Sequence, residues 1–178
     1  DARTGAVRAL VSHPSYDSNV MTSGGPARVI EGYNKNVGRP FIDHAIQGVY
    51  APGSVVKPLI AAGALTDGLI TPRTVIDDRG FISIPDPYRP GKEFIYKGWK
   101  ALGPVDVQRA IAWSSDIFFY TVGGGFGSQK GLGIERLNYW YRQFGLGSST
   151  AISLPGEEDG RIPTPEWKLA TFDEPFAR

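Results

Sequence analysis

The chain has 178 residues, enough for one domain or a large piece of one, and 41% of them are hydrophobic, which suffices for a core. Its 19 Lys+Arg against 18 Asp+Glu leave a net charge of +1, which argues against nucleic acid or an anionic membrane surface as a partner. Cys is absent, which excludes disulfides and thiolate metal sites, and His13 and His44 lack metal-ligand spacing, so neither a metal nor another cofactor is expected.

In chain order, Thr4-Gly5 reads as a turn and Ala6–Ser12 as a mostly apolar strand that Pro14 stops. Residues 15–40 are rich in Gly, Asn and Ser and read as an irregular surface segment. His44 reads as a packed or solvent-bonded residue. The segment Pro52-Gly53-Ser54-Val55-Val56-Lys57-Pro58 follows, and it organises the chain. Gly53 suits a tight turn, and Pro58 is tolerated only in a first helical turn, so a helix is predicted from close to Ser54 through Leu65. Its apolar character nearly all round marks it as buried and central. Ser54 and Lys57 are three apart, on one face and about one turn from each other. A serine hydroxyl needs a base to become a nucleophile, and a lysine can be that base where its surroundings favour the neutral amine. The same serine also reads as a plain helix cap.

Gly68 signals the end of that helix. Residues 70–104 are turn-rich, with Phe81–Ile84 and Phe94–Tyr96 predicted as small strands on an excursion. Asp106 is a candidate N-cap or first-turn acid for a helix running to Trp113. Ser114-Ser115-Asp116 then interrupts two apolar helical runs. Buried hydroxyls and a carboxylate need partners, so the triplet either caps the second helix or faces the pocket of Ser54 and Lys57. The glycines at 123–125 and 127 lack the strand-then-helix context and the Gly-Lys-Ser/Thr of a phosphate loop. Ile134, Leu137, Tyr141 and Phe144 share one helical face and read as core, with Gly145 as its C-cap. Residues 154–157 and 162–167 read as extended, Pro-punctuated segments.

These pieces stand in a recognisable order. Ser54-Val55-Val56-Lys57 and Ser114-Ser115-Asp116 resemble the first two motifs of penicillin-binding proteins and class A β-lactamases, whose third is Lys-Thr-Gly. The flanks, Thr4 to Asp17 and Leu154 to Lys168, resemble the transpeptidase domains of class B penicillin-binding proteins, most closely the penicillin-binding protein 2 branch, which an Asp at 116 also fits. Thr150-Ala151-Ile152-Ser153 stands where the family usually has Thr-Gly-Ile-Asp, which bears on turn geometry. Neither Lys-Thr-Gly nor Lys-Ser-Gly occurs in the chain. The resemblance therefore implies that residues 1–178 are one partial transpeptidase domain, truncated at both ends. The fold is expected to be α/β (α+β): the helical half of the penicillin-binding protein/serine β-lactamase fold plus part of its sheet.

The implied activity is peptidoglycan D,D-transpeptidation. Ser54 would attack the carbonyl between two D-alanines of a stem peptide, with Lys57 as its base. Ser114 would relay a proton to the leaving amine, and Asp116 would hold Lys57 or the substrate amide. A carboxylate beside Lys57 favours its charged form, which a cation from a Lys-Thr-Gly strand would offset. The resemblance implies β-lactams as substrate mimics, and a glycosyltransferase and cell-elongation proteins as partners. It also implies a place on the extracytoplasmic face of the bacterial cytoplasmic membrane, anchored outside these residues. Two alternatives stay open: a serine β-lactamase, and a non-catalytic penicillin-sensing module.

Overall fold

The computed structural model describes residues 1–172, which form two compact units. The first comprises Asp1–Ala51 with Ser149–Gly160, and the second the remaining described residues. No helix among the described residues is long and apolar enough to cross a membrane.

In the first unit, the segment read as irregular carries two helices, α1 (Ser18–Thr22) and α2 (Ala27–Lys35). Asp17 caps α1 by accepting the Asn19 N–H at 2.9 Å, and Pro26 turns the chain into α2. Both helices are short, which is why a Gly- and Asn-rich composition hid them. Tyr16, Tyr33 and Phe41 pack as a triangle of rings, with centroids 4.8 to 6.2 Å apart. His44 is held between the Tyr50 hydroxyl (2.5 Å) and the Gly38 carbonyl (2.8 Å), in line with the packed role expected for it. Glu157 accepts the Ser149 hydroxyl at 2.6 Å and the Thr150 N–H at 2.8 Å, and these bonds hold its carboxyl below the usual range. The Glu158 N–H bonded to the Ile46 carbonyl ties the two stretches of the unit together. Ala151 adopts φ +59°, so the residue standing at the family's usual glycine sits in the left-handed region, at a cost of about 1–2 kcal/mol.

The strand expected over Ala6–Ser12 is not formed. A strand exists by virtue of its ladder partner, and among the described residues none pairs with this stretch, most of which is exposed. Apolar alternation marked a segment suited to a sheet without supplying the neighbour.

The second unit is built around α3 (Lys57–Thr66), entered through a 3₁₀ turn at Gly53–Val56. Gly53 at φ +57° makes the tight turn, and Pro58 lies in the first helical turn, where its missing N–H costs nothing. The helix stops in a Schellman motif: the N–H of Gly68, at φ +68°, bonds the Leu65 carbonyl, and Leu69 reaches back to Ala64. Around α3 pack α4 (Val107–Ala112), α5 (Asp116–Gly124) and α6 (Gly133–Gln143). The core joins Ile60, Ala61 and Ala64 of α3 to Ala110, Phe118, Phe119 and Val122 of α4 and α5. Of the stripe on α6, Leu137 and Tyr141 pack on this core, while Ile134 and Phe144 at its ends are exposed. The α6 helix closes in a second Schellman motif at Gly145.

The turn-rich excursion contains two separate antiparallel pairs. Strand β1 (Ile76–Asp78) pairs with β4 (Gly103–Val105), with Ile76 opposite Val105. Strand β2 (Phe81–Pro85) pairs with β3 (Glu93–Lys97), with Phe81 opposite Lys97, where small strands were expected. The segment read as extended over 162–167 instead starts α7 (Pro165–Phe172). The Thr164 hydroxyl oxygen accepts the Trp167 N–H at 3.1 Å, and Pro165 follows as the first helical residue, so the proline initiates this helix.

Candidate active site

Four side chains from two helix starts meet in the second unit. Ser54 sits on the 3₁₀ turn, exposed, and Lys57 begins α3 with 7% of its surface exposed. Ser114 and Asp116 flank the start of α5. All four sequence-derived candidates are thus brought together, although the helix start differs in detail from the continuous helix predicted through Ser54. The tighter turn places the serine above the helix end and leaves the lysine buried beneath it.

The Lys57 ammonium donates to three acceptors, using its whole donor capacity. These are the Asp116 carboxylate at 2.6 Å, the Ser114 carbonyl at 2.8 Å and the Ser114 hydroxyl oxygen at 2.9 Å. It also lies 5.8 Å from the centroid of the Phe119 ring, a cation–π contact that sequence reading did not anticipate. The Ser114 hydroxyl in turn donates to Ser54 Oγ at 2.8 Å. The serine is therefore linked to the lysine through Ser114. Reversing the hydroxyl directions gives a path along which a proton on Ser54 passes to Ser114 while the Ser114 proton passes to Lys57.

Ser114 can face both partners because it takes a left-handed conformation, φ +53°. That turn sends Ser114 toward Lys57 and the next residue, Ser115, into the interior, where it is fully buried. Ser115 Oγ accepts the Phe118 N–H at 3.1 Å and so caps α5. The triplet thus fulfils both readings: its middle residue caps, and its outer two meet the lysine. Ser115 also donates to the buried carboxylate of Asp78, a residue read in the sequence only as part of a turn. Nothing local to Asp77-Asp78-Arg79-Gly80 signals a contact made with a residue so far along the chain.

The arrangement brings two hydroxyls, an ammonium and a carboxylate together at two helix N-termini, where the dipoles favour developing negative charge.

The penicillin binding protein transpeptidase domain family matches residues 1–177. Among curated relatives, the peptidoglycan D,D-transpeptidase MrdA of Acinetobacter baumannii is 37% identical over 96% of this chain and 24% of its own length. The MrdA of Escherichia coli K12 is 39% identical over 99% of this chain and 26% of its own. Among solved structures, Pseudomonas aeruginosa PBP2, determined in complex with WCK 5153, superposes with a TM-score of 0.78 at 33% identity, covering 97% of this chain and 37% of that one. Helicobacter pylori PBP2 in complex with MreC gives a TM-score of 0.77 at 28% identity, covering 92% and 29%. The chain therefore spans about a quarter of the curated relatives it resembles, at 24% and 26%. With the mixed helix-and-strand fold, the match along nearly the whole chain leads to one conclusion: this chain belongs to the penicillin binding protein transpeptidase domain family.

Proposed function

We propose that this chain carries the nucleophile half of a peptidoglycan D,D-transpeptidase active site, acting through an acyl-Ser54 intermediate in cell wall synthesis. The observation that supports it most is the continuous hydrogen-bond chain from Ser54 through Ser114 to a buried Lys57 held by Asp116.

In the first step, with Lys57 as the free amine, Ser54 Oγ bonds to the carbonyl carbon between two D-alanines. Its proton moves to Ser114 as the Ser114 proton moves to Lys57, a general-base contribution of roughly 10²–10⁴ in rate. The C–N bond then breaks, and the departing D-alanine amine takes a proton back along the same path. In the second step the amine of a neighbouring stem peptide attacks the ester, forms the cross-link and releases Ser54 with its proton restored. The Ser54 N–H, at the start of the turn, serves as one donor to the oxyanion. Asp116 keeps the lysine aimed at Ser114. β-Lactams acylate Ser54 as mimics of the D-Ala-D-Ala bond.

Residues 1–178 are read as part of one transpeptidase domain, with a Lys-Thr-Gly strand supplied from outside them. The peptidoglycan synthase and MreC complexes solved for other family members support a glycosyltransferase and cell-elongation proteins as partners. The location that goes with this reading is the extracytoplasmic face of the bacterial cytoplasmic membrane, where a peptidoglycan cross-linker meets its substrate.

The test offers the full-length protein a D-Ala-D-Ala-like ester donor with an amine acceptor and, separately, a chromogenic cephalosporin. Transfer to the amine together with slow cephalosporin turnover is expected. Rapid cephalosporin hydrolysis would make the protein a β-lactamase, and stable acylation with no transfer would make it a sensor; either outcome overturns the proposal.

A further inference from the structure

Asp78 ends β1 with its side chain fully enclosed, 1% exposed. A carboxylate is costly to bury and is retained only where hydrogen bonds offset its lost hydration. One of its oxygens accepts the Gly80 N–H at 2.8 Å, and the other accepts the Ser115 hydroxyl at 2.5 Å. The Gly80 bond shapes the turn between β1 and β2. The Ser115 bond does something else, because capping α5 needs only the serine. What the carboxylate adds is a fixed direction for that serine. Its hydroxyl proton is committed to Asp78, which leaves its lone pairs to the Phe118 N–H.

Ser115 lies between the two residues that grip Lys57. Its neighbour Ser114 is in the left-handed region, which costs about 1–2 kcal/mol for a residue other than glycine and persists only where the surroundings enforce it. The enforcing contacts are the Lys57 bonds on one side and the buried Asp78–Ser115 pair on the other. We propose that Asp78 is a positioning residue: by anchoring Ser115 it holds Ser114 and Asp116 in the arrangement that joins Lys57 to Ser54. This rests on the transpeptidase reading above and adds to it a residue outside the motifs, contributed by the short sheet of β1 and β4.

The experiment compares wild type, Asp78→Asn, Asp78→Ala, Ser115→Ala and the Asp78→Ala/Ser115→Ala double variant in the full-length protein. Stopped-flow acylation by a penicillin gives the saturating acylation rate and the non-covalent dissociation constant separately, both expressed per folded molecule. Asp78→Asn keeps one of the two acceptor oxygens, and its saturating rate is expected to fall roughly tenfold. Asp78→Ala is expected to fall roughly a hundredfold, the loss that a misplacement of about 1 Å produces. The dissociation constant should change little, and the double variant should be no slower than the slower single one, because both remove one link. Where Asp78→Ala does not fold, Asp78→Asn decides. A labelled wild type with an Asp78→Asn rate per folded molecule unchanged, even with a lowered melting temperature, overturns the positioning role alone. A wild-type protein that takes no label overturns the transpeptidase reading and this proposal with it.

Discussion

At the scale of single residues, Lys57 is the most constrained group in the site: buried, with each of its three donors committed. Lys57→Ala therefore removes the proposed base and leaves Asp116 and the Ser114 carbonyl without their partner, a stability cost of about 1–3 kcal/mol. Acylation per folded molecule should fall by roughly 10²–10⁴. A variant that acylates within a few-fold of wild type would exclude Lys57 as the base. Asp116 acts on the lysine by position: its carboxylate, 2.6 Å from Nζ, aims the lysine at Ser114. Asp116→Asn keeps a hydrogen-bond acceptor and deletes the charge. It should retain acylation within roughly tenfold of wild type, because the amide oxygen still accepts from Nζ; a loss as large as that of Lys57→Ala would show that the charge, not the hydrogen bond, holds the lysine in place.

At the scale of elements, the site depends on α3 lying in close contact with α6. A Cβ at Gly63 would stand 2.6 Å from ring atoms of Trp140. The ring is not free to swing away, because its Nε1 donates to the Asp67 carboxylate at 3.1 Å. That carboxylate also takes two bonds from Arg136, which hold its carboxyl below the usual range. Gly63→Ala should thus destabilise the unit by about 1–3 kcal/mol, measurable as a lowered denaturation midpoint with an unchanged slope. A neutral effect would mean that the α3–α6 contact relaxes freely. The elements also show what the sequence makes legible. The α3 start was readable because Gly53 and Pro58 act locally, and both Schellman glycines were readable for the same reason. The Ser114-Ser115-Asp116 triplet was readable as a polar break in apolar helix. Pro165 was misread because a proline that starts a helix and one that breaks extended chain look alike unless the preceding Thr164 is recognised as a cap. The Ala6–Ser12 strand and the Asp78–Ser115 bond share a deeper reason. A strand needs a ladder neighbour and a buried carboxylate needs a donor, and no local pattern says whether either is there.

At the scale of the whole molecule, the described surface carries many large apolar side chains, Val55, Tyr88, Trp99 and Trp113 among them. The sequence also contains no Lys-Thr-Gly, the third motif of the set it resembles, from which the proposed reading takes a cation and a second oxyanion donor. Losing one oxyanion donor costs roughly 10²–10³ in rate. The isolated 178-residue chain should therefore bind a hydrophobic dye, tend to aggregate, and acylate at least about a hundredfold more slowly than the full-length protein. Side-by-side stopped-flow rates decide this, and equal rates would mean that residues 1–178 hold a complete pocket.

Ser54 is the proposed acylated residue, and peptide mapping of the full-length protein after reaction with a fluorescent penicillin, in wild type and in Ser54→Ala, tests it. A single label is predicted on the tryptic peptide containing Ser54, with none in the variant. Label on any other residue of the wild type, or label retained by Ser54→Ala, would contradict the account.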